Sequence, residues 1–421
     1  MEKHIVLLGI ILLATLLLCG CQPQKNVKFT IGALSFSHKD ITKGYTVTIQ
    51  KEEGTGSFNR VSFSYRADAP FRAVFTYRQG KSTMEEELLL SEKETAASML
   101  LNGFLNKKTA SCLVAVRFEP IVADASCALS LSDFTCAVQE VPGDRTIAIE
   151  NERYKAGVKL DWGGGLCYFR DKQNNAYSNL LNCHDTGRLV QQSFYGPMKI
   201  EGYQNGVFMG NEWSYNPVQG GDQYGNTSKL VALEQTKDTI RVVCRPLDWA
   251  LNNMPTQTYY TSVYRLTENG LTVENTAIDF LLTPWTARSQ ELPAFYTVSA
   301  LNTFTFYDGD DPWTDGELRE ERNLEFWAGK PAFGLKKGNT ENWCSWTDES
   351  GYGIGLYAPI AESLLAGRYR YNGTKKAEDD PTNYVAPLAE TLLYFDEPFT
   401  YTYYLTTGKV SEIRATFKKL Q

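Results

Sequence analysis

The sequence has little histidine, and it lacks the short motifs that mark several large enzyme classes. Only 3 of its 421 residues are His, and only His38 and His184 follow the N-terminal apolar segment. No GxSxG, P-loop, HExxH or dinucleotide-binding fingerprint occurs. These absences argue against an α/β-hydrolase, a P-loop nucleotidase, a HExxH zinc protease and a dinucleotide-dependent enzyme.

Runs of basic residues and CxxC pairs are also missing. Lys and Arg number 42 against 49 Asp and Glu, which gives a net charge of −7. Because nucleic-acid phosphates are bound by clustered Lys and Arg, we expect no nucleic-acid partner. No CxxC pair follows Cys21, which argues against a zinc ribbon. We predict no cofactor.

Aromatic residues and turn formers are abundant instead. The chain contains 24 Tyr, 21 Phe and 8 Trp, together with 33 Gly and 16 Pro. Apolar and polar residues alternate in short segments such as 61–65, 71–77 and 114–118, the pattern of half-buried strands. The composition therefore predicts an all-β protein with many turns.

The one long apolar run lies at the N-terminus. Ile5 to Leu18 follows a short polar start, as in a secretory signal peptide. The residues that follow, Leu18-Cys19-Gly20-Cys21, resemble a bacterial lipobox. By that resemblance residues 1–20 are a lipoprotein signal peptide, Cys21 carries the lipid, and residues 21–26 tether the protein to a membrane.

The lipobox predicts a location in the cell envelope. Gln22 follows Cys21, so we expect the outer membrane if the organism is Gram-negative. The alternative is cleavage to a secreted soluble protein. Disulfides can form outside the cytoplasm, but the spacing of the seven later cysteines does not reveal a pairing.

A change in composition divides the rest of the chain. All 8 Trp lie after residue 160, and only Tyr45, Tyr65 and Tyr77 precede residue 150. We place a boundary in the turn-rich segment 141–144, with a β-sandwich over 27–144 and a larger all-β domain over 145–421. Segment 84–105 is ambiguous, and its composition suggests one short helix. Apolar residues at helical spacing predict a helix over 410–420.

Tyr260–Asp279, YTSVYRLTENGLTVENTAID, resembles the paired strands of galactose-mutarotase-like β-supersandwich domains. Segments 157–195 and 343–359 resemble parts of secreted bacterial proteins given the same fold. The resemblance is diffuse and extends over most of residues 150–410. It implies a β-supersandwich over 145–421 that binds a sugar on its concave sheet. The mutarotase catalytic pair is a His and a Glu. Here a Glu can be proposed, but no His lies in a matching motif.

The densest group of polar residues is segment 182–195, NCHDTGRLVQQSFY. Asp, Arg and Gln offer the planar donors and acceptors that sugar hydroxyls require. The alternative is a structural ion pair between Asp185 and Arg188 beside a turn. The candidates here are His184 and Asp185 for catalysis, and Arg188, Gln191, Gln192 and Tyr195 for substrate binding.

Segment 213–226, WSYNPVQGGDQYGN, contains too much Gly, Pro and Asn for a regular element. It predicts a long structured loop, and such loops often bind ligands. A rim loop without function is the alternative. The substrate-binding candidates are Trp213, Asn216, Gln219 and Asp222.

Glu291 is the best candidate catalytic carboxylate. It lies beside Leu and Pro in segment 288–296, where burial can raise a carboxyl pKa. It could equally accept sugar hydroxyls, or form a salt bridge with Arg288.

An acidic segment, 308–317, has oxygen ligands of the kind that Ca²⁺ prefers. Its spacing is not that of an EF-hand, so a solvated loop is favoured and no metal site is predicted. Trp313 within it is a further candidate platform for a sugar ring.

Three functions remain open from the sequence. The favoured one is a cell-envelope lipoprotein that binds a polysaccharide or oligosaccharide. A glycoside hydrolase or polysaccharide lyase is the second, with Glu291 and segment 184–188 as its machinery; hydrolysis would pair Glu291 with Asp185 or Asp222. The third is a structural envelope lipoprotein without a sugar ligand.

Overall fold

The chain divides into two compact units, Met1–Val141 and Pro142–Gln421. The predicted signal peptide, Cys21 and the tether 21–26 lie outside the residues that the computed structural model describes. Among the described residues, no helix is long and apolar enough to cross a membrane. The described residues are 29–30, 45–48, 57–101, 110, 112–122, 127–140, 142–143, 145–322, 324, 340–370 and 372–421.

The first unit contains two four-stranded antiparallel sheets, ordered β1-β8-β3-β6 and β2-β7-β4-β5. Their strands are β1 (Phe29–Thr30), β2 (Tyr45–Thr48), β3 (Arg60–Ala67), β4 (Phe71–Gln79), β5 (Ser82–Leu90), β6 (Ala96–Leu100), β7 (Cys112–Pro120) and β8 (Leu129–Ala137). Alternate aromatic residues of the two sheets meet in the core. The rings of Tyr65 and Phe71 pack edge to face with their centroids 5.3 Å apart.

The short helix suggested for segment 84–105 is a wrong prediction over its described part. Strands β5 and β6 occupy residues 82–90 and 96–100. Strand β5 pairs with β4 through a tight turn at Gly80, whose φ is +62°. Leu88, Leu89 and Leu90 are buried there. Burial in a sheet therefore overrides the helical preference of Glu and Leu.

Strands also dominate the second unit, so the all-β prediction is confirmed. Its main sheets have six strands (β18-β15-β12-β21-β27-β26) and nine strands (β16-β17-β19-β20-β28-β25-β24-β22-β23). The strands are β9 (Thr146–Glu150), β10 (Tyr154–Lys159), β11 (Gly165–Asp171), β12 (Gln191–Ser193), β13 (Val207–Phe208), β14 (Asn211–Glu212), β15 (Pro217–Val218), β16 (Lys229–Gln235), β17 (Thr239–Arg245), β18 (Leu247–Asp248), β19 (Thr258–Thr267), β20 (Gly270–Asp279), β21 (Arg288–Val298), β22 (Thr303–Phe306), β23 (Arg319–Arg322), β24 (Trp343–Thr347), β25 (Tyr352–Tyr357), β26 (Ser363–Tyr369), β27 (Thr382–Thr391) and β28 (Phe399–Lys409).

The predicted C-terminal helix is confirmed as α1, Val410–Lys418. Its Ile413 and Phe417 are buried against Trp343 and Tyr357 of the nine-stranded sheet. Gly355 permits this close approach, because a Cβ there would lie 2.3 Å from the Ile413 side chain.

The six-stranded sheet turns one face to the nine-stranded sheet. Gln192 donates a 2.9 Å hydrogen bond to the carbonyl of Thr261 in β19. The ring of Phe194 packs 5.8 Å from that of Tyr260. Because side chains alternate along an extended chain, Tyr195 points to the opposite face. That outer face holds the candidate site.

Candidate functional site

Four tyrosines and one carboxylate lie together on the outer face of the six-stranded sheet. We call this group the tyrosine floor. Glu291 and three of the tyrosines are partly exposed, whereas Tyr384 is buried. The floor consists of Tyr195 after β12, Glu291 and Tyr296 in β21, Tyr384 in β27 and Tyr369 in β26.

Glu291 is held by two phenol groups. The hydroxyl of Tyr195 donates to Glu291 Oε1 at 3.0 Å, and the hydroxyl of Tyr384 also donates to this carboxylate. Burial raises the carboxyl pKa, and the two hydrogen bonds oppose that rise. Burial and the charge of Glu291 together raise the phenol pKa of Tyr195 and Tyr384 well above the ordinary value. Both phenols therefore remain protonated donors to Glu291.

A side-chain amide fixes the backbone of Tyr195. Gln290 Oε1 accepts the backbone N–H of Tyr195 at 2.7 Å, and Gln290 Nε2 donates to its carbonyl at 3.0 Å. Next to this contact the pairing of β12 with β21 shifts register between Ser193↔Glu291 and Gln191↔Ala294. Such a bulge re-aims the side chains beside it, and here it lies directly after Glu291.

The centre of the floor is aromatic and aliphatic. Tyr296 and Tyr384 are directly paired across β21 and β27, and their ring centroids are 4.7 Å apart. Ala294, Ala386, Leu365 and Leu388 complete this apolar cluster. An apolar surface with a few placed polar groups is typical of small-molecule sites.

One edge of the floor is closed by a network of charges. Arg188 bonds Asp380 Oδ1 at 3.0 Å and Asp185 at 3.3 Å, and its guanidinium lies 5.3 Å from the centre of the Tyr369 ring. Arg370 packs on the same ring at 5.1 Å and pairs with Asp380. The predicted Asp185–Arg188 ion pair is present, and it borders the floor.

His184 belongs to the same network. Its Nδ1 lies 2.7 Å from the carbonyl of Glu378, and its Nε2 lies 3.9 Å from Asp380 Oδ1. Asp185 also accepts the backbone N–H of Gly187 at 3.0 Å. Burial and the charges of Glu291 and Asp185 raise the phenol pKa of Tyr296. The Asp185 carboxylate therefore lies near the floor.

Five predicted substrate-binding residues lie in the interior. Each is at most 3% exposed, and each hydrogen-bonds with neighbouring chain segments. Asp222, for example, accepts the backbone N–H groups of Tyr224 and Asn226 in its own loop and of Asn253 in a second loop. These side chains stabilise the surrounding chain segments, and they are not part of the candidate site. They are Gln191, Gln192, Asn216, Gln219 and Asp222.

Trp213 lies beside the floor and links it to further aromatic residues. Its ring packs edge to face with Tyr195 at 6.0 Å and with Phe208 at 5.1 Å. Phe208 packs in turn on Trp249 at 5.5 Å. Trp249 lies against Gly187, where a Cβ would approach Trp249 Cη2 to 2.7 Å. We call Trp213, Phe208 and Trp249 the aromatic wall.

Trp313 lies in a different place. It packs with Tyr357 in the cluster that holds α1, with ring centroids 6.1 Å apart. In the acidic loop around it, Asp308 pairs with Arg319 and Asp315 with Lys418. Within the described part of the chain, no group of three or more His, Cys, Asp or Glu side chains could hold a metal ion.

Sequence reasoning missed several members of the floor and its edge. Tyr296, Tyr369 and Tyr384 were not candidates, and neither were Arg288 and Arg370. Arg288 is exposed and lies 5.3 Å from the centre of the Tyr195 ring. One signal was present in the sequence. Side chains alternate between the two faces of a strand, and this alternation places Tyr369 of β26 and Tyr384 of β27 on the same face as Leu388.

Comparison with solved structures returns galactose mutarotase-like proteins at low similarity. A galactose mutarotase-like protein from Lactobacillus casei is 12% identical, with a TM-score of 0.36 over 62% of this chain and 100% of that one. A galactose mutarotase related enzyme from Lactobacillus acidophilus is 10% identical, with a TM-score of 0.38 over 63% and 97%.

A 4-alpha-glucanotransferase from Thermococcus litoralis is 12% identical, with a TM-score of 0.31 over 62% of this chain and 37% of that one. No protein-family model and no curated protein matches the sequence.

Proposed function

We propose that this protein binds a carbohydrate on the tyrosine floor of its second unit. The observation that carries the proposal is the Glu291 carboxylate, which two phenol hydroxyls hold among aromatic rings. Carboxylate oxygens accept hydrogen bonds from sugar hydroxyls, and ring faces cover the apolar C–H faces of sugars. Trp213 and Arg288 offer an indole and a guanidinium beside the same surface.

Binding without catalysis is favoured because the two carboxylates that the sequence pairs with Glu291, Asp185 and Asp222, are both engaged by other groups. Hydrolysis of a glycosidic bond requires two carboxyl groups that flank it. Asp222 is buried and accepts backbone N–H groups from its own loop and from Asn253. Asp185 is paired with Arg188.

A specific observation nevertheless supports a hydrolase as the second candidate. A partly exposed carboxyl group whose pKa is raised by burial is suited to act as a general acid. Asp185 would then be the second carboxylate. It lies near enough to the floor for its charge to contribute to the raised phenol pKa of Tyr296.

One experiment tests binding and hydrolysis together. The purified chain, residues 22–421, is run in affinity gels with plant, host and bacterial polysaccharides, and the polymers are then analysed for shortened or unsaturated products. Retardation without products supports binding, whereas products from one polymer establish the enzyme. Tyr296→Ala should abolish retardation, and Tyr394→Ala, an exposed tyrosine outside the floor, should not. Failure of every polymer to retard the protein contradicts the proposal.

We further propose that the protein is a lipid-anchored component of the cell envelope. The support is the sequence at residues 1–21. Metabolic labelling with a radioactive fatty acid should label the wild-type protein in its bacterial host and leave Cys21→Ala unlabelled. Labelling of the variant would contradict the anchor.

A further inference from the structure

Arginine side chains pack on tyrosine rings at two places in the tyrosine floor. At one place, the guanidinium of Arg188 lies 5.3 Å from the centre of the Tyr369 ring. At the other, the guanidinium of Arg288 lies 5.3 Å from the centre of the Tyr195 ring. A guanidinium carries five N–H donors in a planar fork, which suits a carboxylate. Both arginines are therefore positioned by a ring to bind a carboxylate.

The two arginines differ in their acidic partners. Arg188 bonds Asp380 Oδ1 at 3.0 Å and Asp185 at 3.3 Å, so its charge is balanced within the protein. Within the described part of the chain, no Asp or Glu oxygen lies within 4.0 Å of the Arg288 guanidinium. The salt bridge between Arg288 and Glu291, which the sequence leaves open, is therefore not formed. Arg288 is a cation whose carboxylate position is unfilled by this part of the protein.

Direct contacts place the guanidinium of Arg288 at the floor. Arg288 begins β21, and its long side chain reaches the ring of Tyr195, whose hydroxyl donates to Glu291 at 3.0 Å. Burial raises the phenol pKa of Tyr195, and the positive charge of Arg288 opposes that rise. Gln290 fixes the backbone of Tyr195 through two hydrogen bonds, so the ring beneath the guanidinium is held in place.

We propose that the ligand of the tyrosine floor is an acidic glycan, and that Arg288 binds the carboxylate of one of its uronate residues. This inference rests on the proposed function, because it names the class of carbohydrate that the floor binds. Charge complementarity supports it: at Tyr369 the protein supplies the carboxylate of Asp380, whereas at Tyr195 the ligand would supply one. Arg288 is exposed, so a ligand can reach it. Hydroxyls of the same glycan would donate to Glu291.

The test compares acidic glycans with the same glycans after their carboxyl groups have been reduced to alcohols. Short fragments of polygalacturonate, hyaluronan and alginate, each with its carboxyl-reduced form, are titrated calorimetrically into the 22–421 chain. We expect at least one acidic glycan to bind about tenfold to a hundredfold more tightly than its reduced form, the usual value of a hydrogen bond to a charged group.

Salt provides a second measurement. The preference for the acidic form should diminish when NaCl is raised from about 50 mM to about 500 mM, because an exposed ion pair is screened. The protein has a net charge of −7, so its overall charge does not attract a polyanion. The preference must therefore come from a local cation.

The variant Arg288→Gln retains a polar side chain but removes the charge, and it should abolish the difference between the acidic and the reduced glycan. Arg288→Lys retains the charge without the planar fork and should keep part of the difference. The matched control is Arg265→Gln, which removes the same charge at an exposed position of β19 in the nine-stranded sheet. It should keep the full difference.

Three outcomes would overturn the inference. Equal affinities for the acidic and reduced forms of every glycan would do so and leave the proposed function standing, since the affinity gels test that function separately. A preference that persists in Arg288→Gln would assign the carboxylate to another cation. Dextran sulfate that binds as tightly as the uronate glycan would show a general attraction to anions. If neither form of any glycan binds and no polymer retards the protein in the gels, the proposed function fails as well.

Discussion

The phenol of Tyr195 and the carboxylate of Glu291 are joined by a 3.0 Å hydrogen bond between two neighbouring strands. Tyr195 follows β12, and Glu291 lies in β21, 96 residues further along the chain. The backbone of Tyr195 is fixed by Gln290, the residue directly before Glu291. Donor and acceptor are therefore positioned by the same pair of strands.

Removal of the Tyr195 hydroxyl should raise the pKa of Glu291 further, because that hydrogen bond favours the charged carboxylate. If sugar hydroxyls donate to the ionised group, ligand affinity in Tyr195→Phe will be lost at a higher pH on acidification than in wild type. Affinity titrations between pH 4 and 8 measure this midpoint. The control is Tyr203→Phe, whose hydroxyl bonds Asp248 instead. A midpoint unchanged in Tyr195→Phe would rule out the assigned role of Glu291.

Replacement of Glu291 by Gln should weaken ligand binding by about tenfold to a hundredfold, the usual value of a hydrogen bond to a charged acceptor. Cooperative unfolding should persist, because the Gln carbonyl still accepts one phenol hydrogen bond. Calorimetric titration with the retained polysaccharide measures the affinity. Glu274→Gln, at an exposed position of the nine-stranded sheet, is the control. Equal ligand affinity in the two variants would show that Glu291 does not contribute to binding.

The contact between Gly187 and Trp249 should make a small substitution costly. In Gly187→Ala the new Cβ would lie 2.7 Å from Trp249 Cη2, so the aromatic wall or the Asp185 turn must shift. We expect a loss of about 1–3 kcal/mol in the free energy of unfolding. Gly143→Ala meets no atom within 4 Å and should be neutral. Urea unfolding followed by tryptophan fluorescence reports on the second unit, which contains all 8 Trp. Equal stability of the two variants would show that the aromatic wall can move away from the new Cβ without a loss in the free energy of unfolding.

The buried carboxyl group of Asp279 should make the second unit less stable as the pH rises. Burial raises its pKa to about 7, although hydrogen bonds from Thr258, Trp285 and Leu281 act to lower it. An Asp in the unfolded chain has a pKa of about 3.9. Between these values the folded state holds a proton that the unfolded state has released.

The Asp279 contribution therefore favours folding below pH 4 and is lost as the pH rises to 7, by about 1.4 kcal/mol per pH unit. Urea unfolding at pH 4.5, 5.5, 6.5 and 7.5 measures the slope in wild type and in Asp279→Asn. The variant should lack this part of the slope. Identical slopes would show that Asp279 is ionised in the folded protein.

The sequence indicated Glu291, the central residue of the candidate site, and one of its tyrosines, Tyr195, but not the other three. Glu291 was identifiable because an acidic residue beside Leu and Pro in an apolar strand is unusual. Tyr369 and Tyr384 carry no such local signal. They join the floor only because β26 and β27 pair in a register that places Gly367 opposite Tyr384.

Local composition was misleading for the amides of segments 182–195 and 213–226. Their polar residues suggested a binding surface, yet Gln219 accepts a backbone N–H from Gln192, and Gln192 in turn bonds β19. Irregular loops leave many backbone groups without ladder partners, and buried amides supply those partners. A sequence shows the amides but not which backbone groups need them.

The sequence by itself determined the all-β class, the strands with period-2 alternation, the terminal helix and the concentration of Trp in the second part of the chain. Each of these depends on residues close together along the chain, where periodicity and composition act directly. Tertiary structure alone decided which face of the six-stranded sheet is outward and which tyrosines surround Glu291. Those outcomes depend on strand order and register between segments up to about a hundred residues apart, and a one-residue change of register would turn every side chain to the other face.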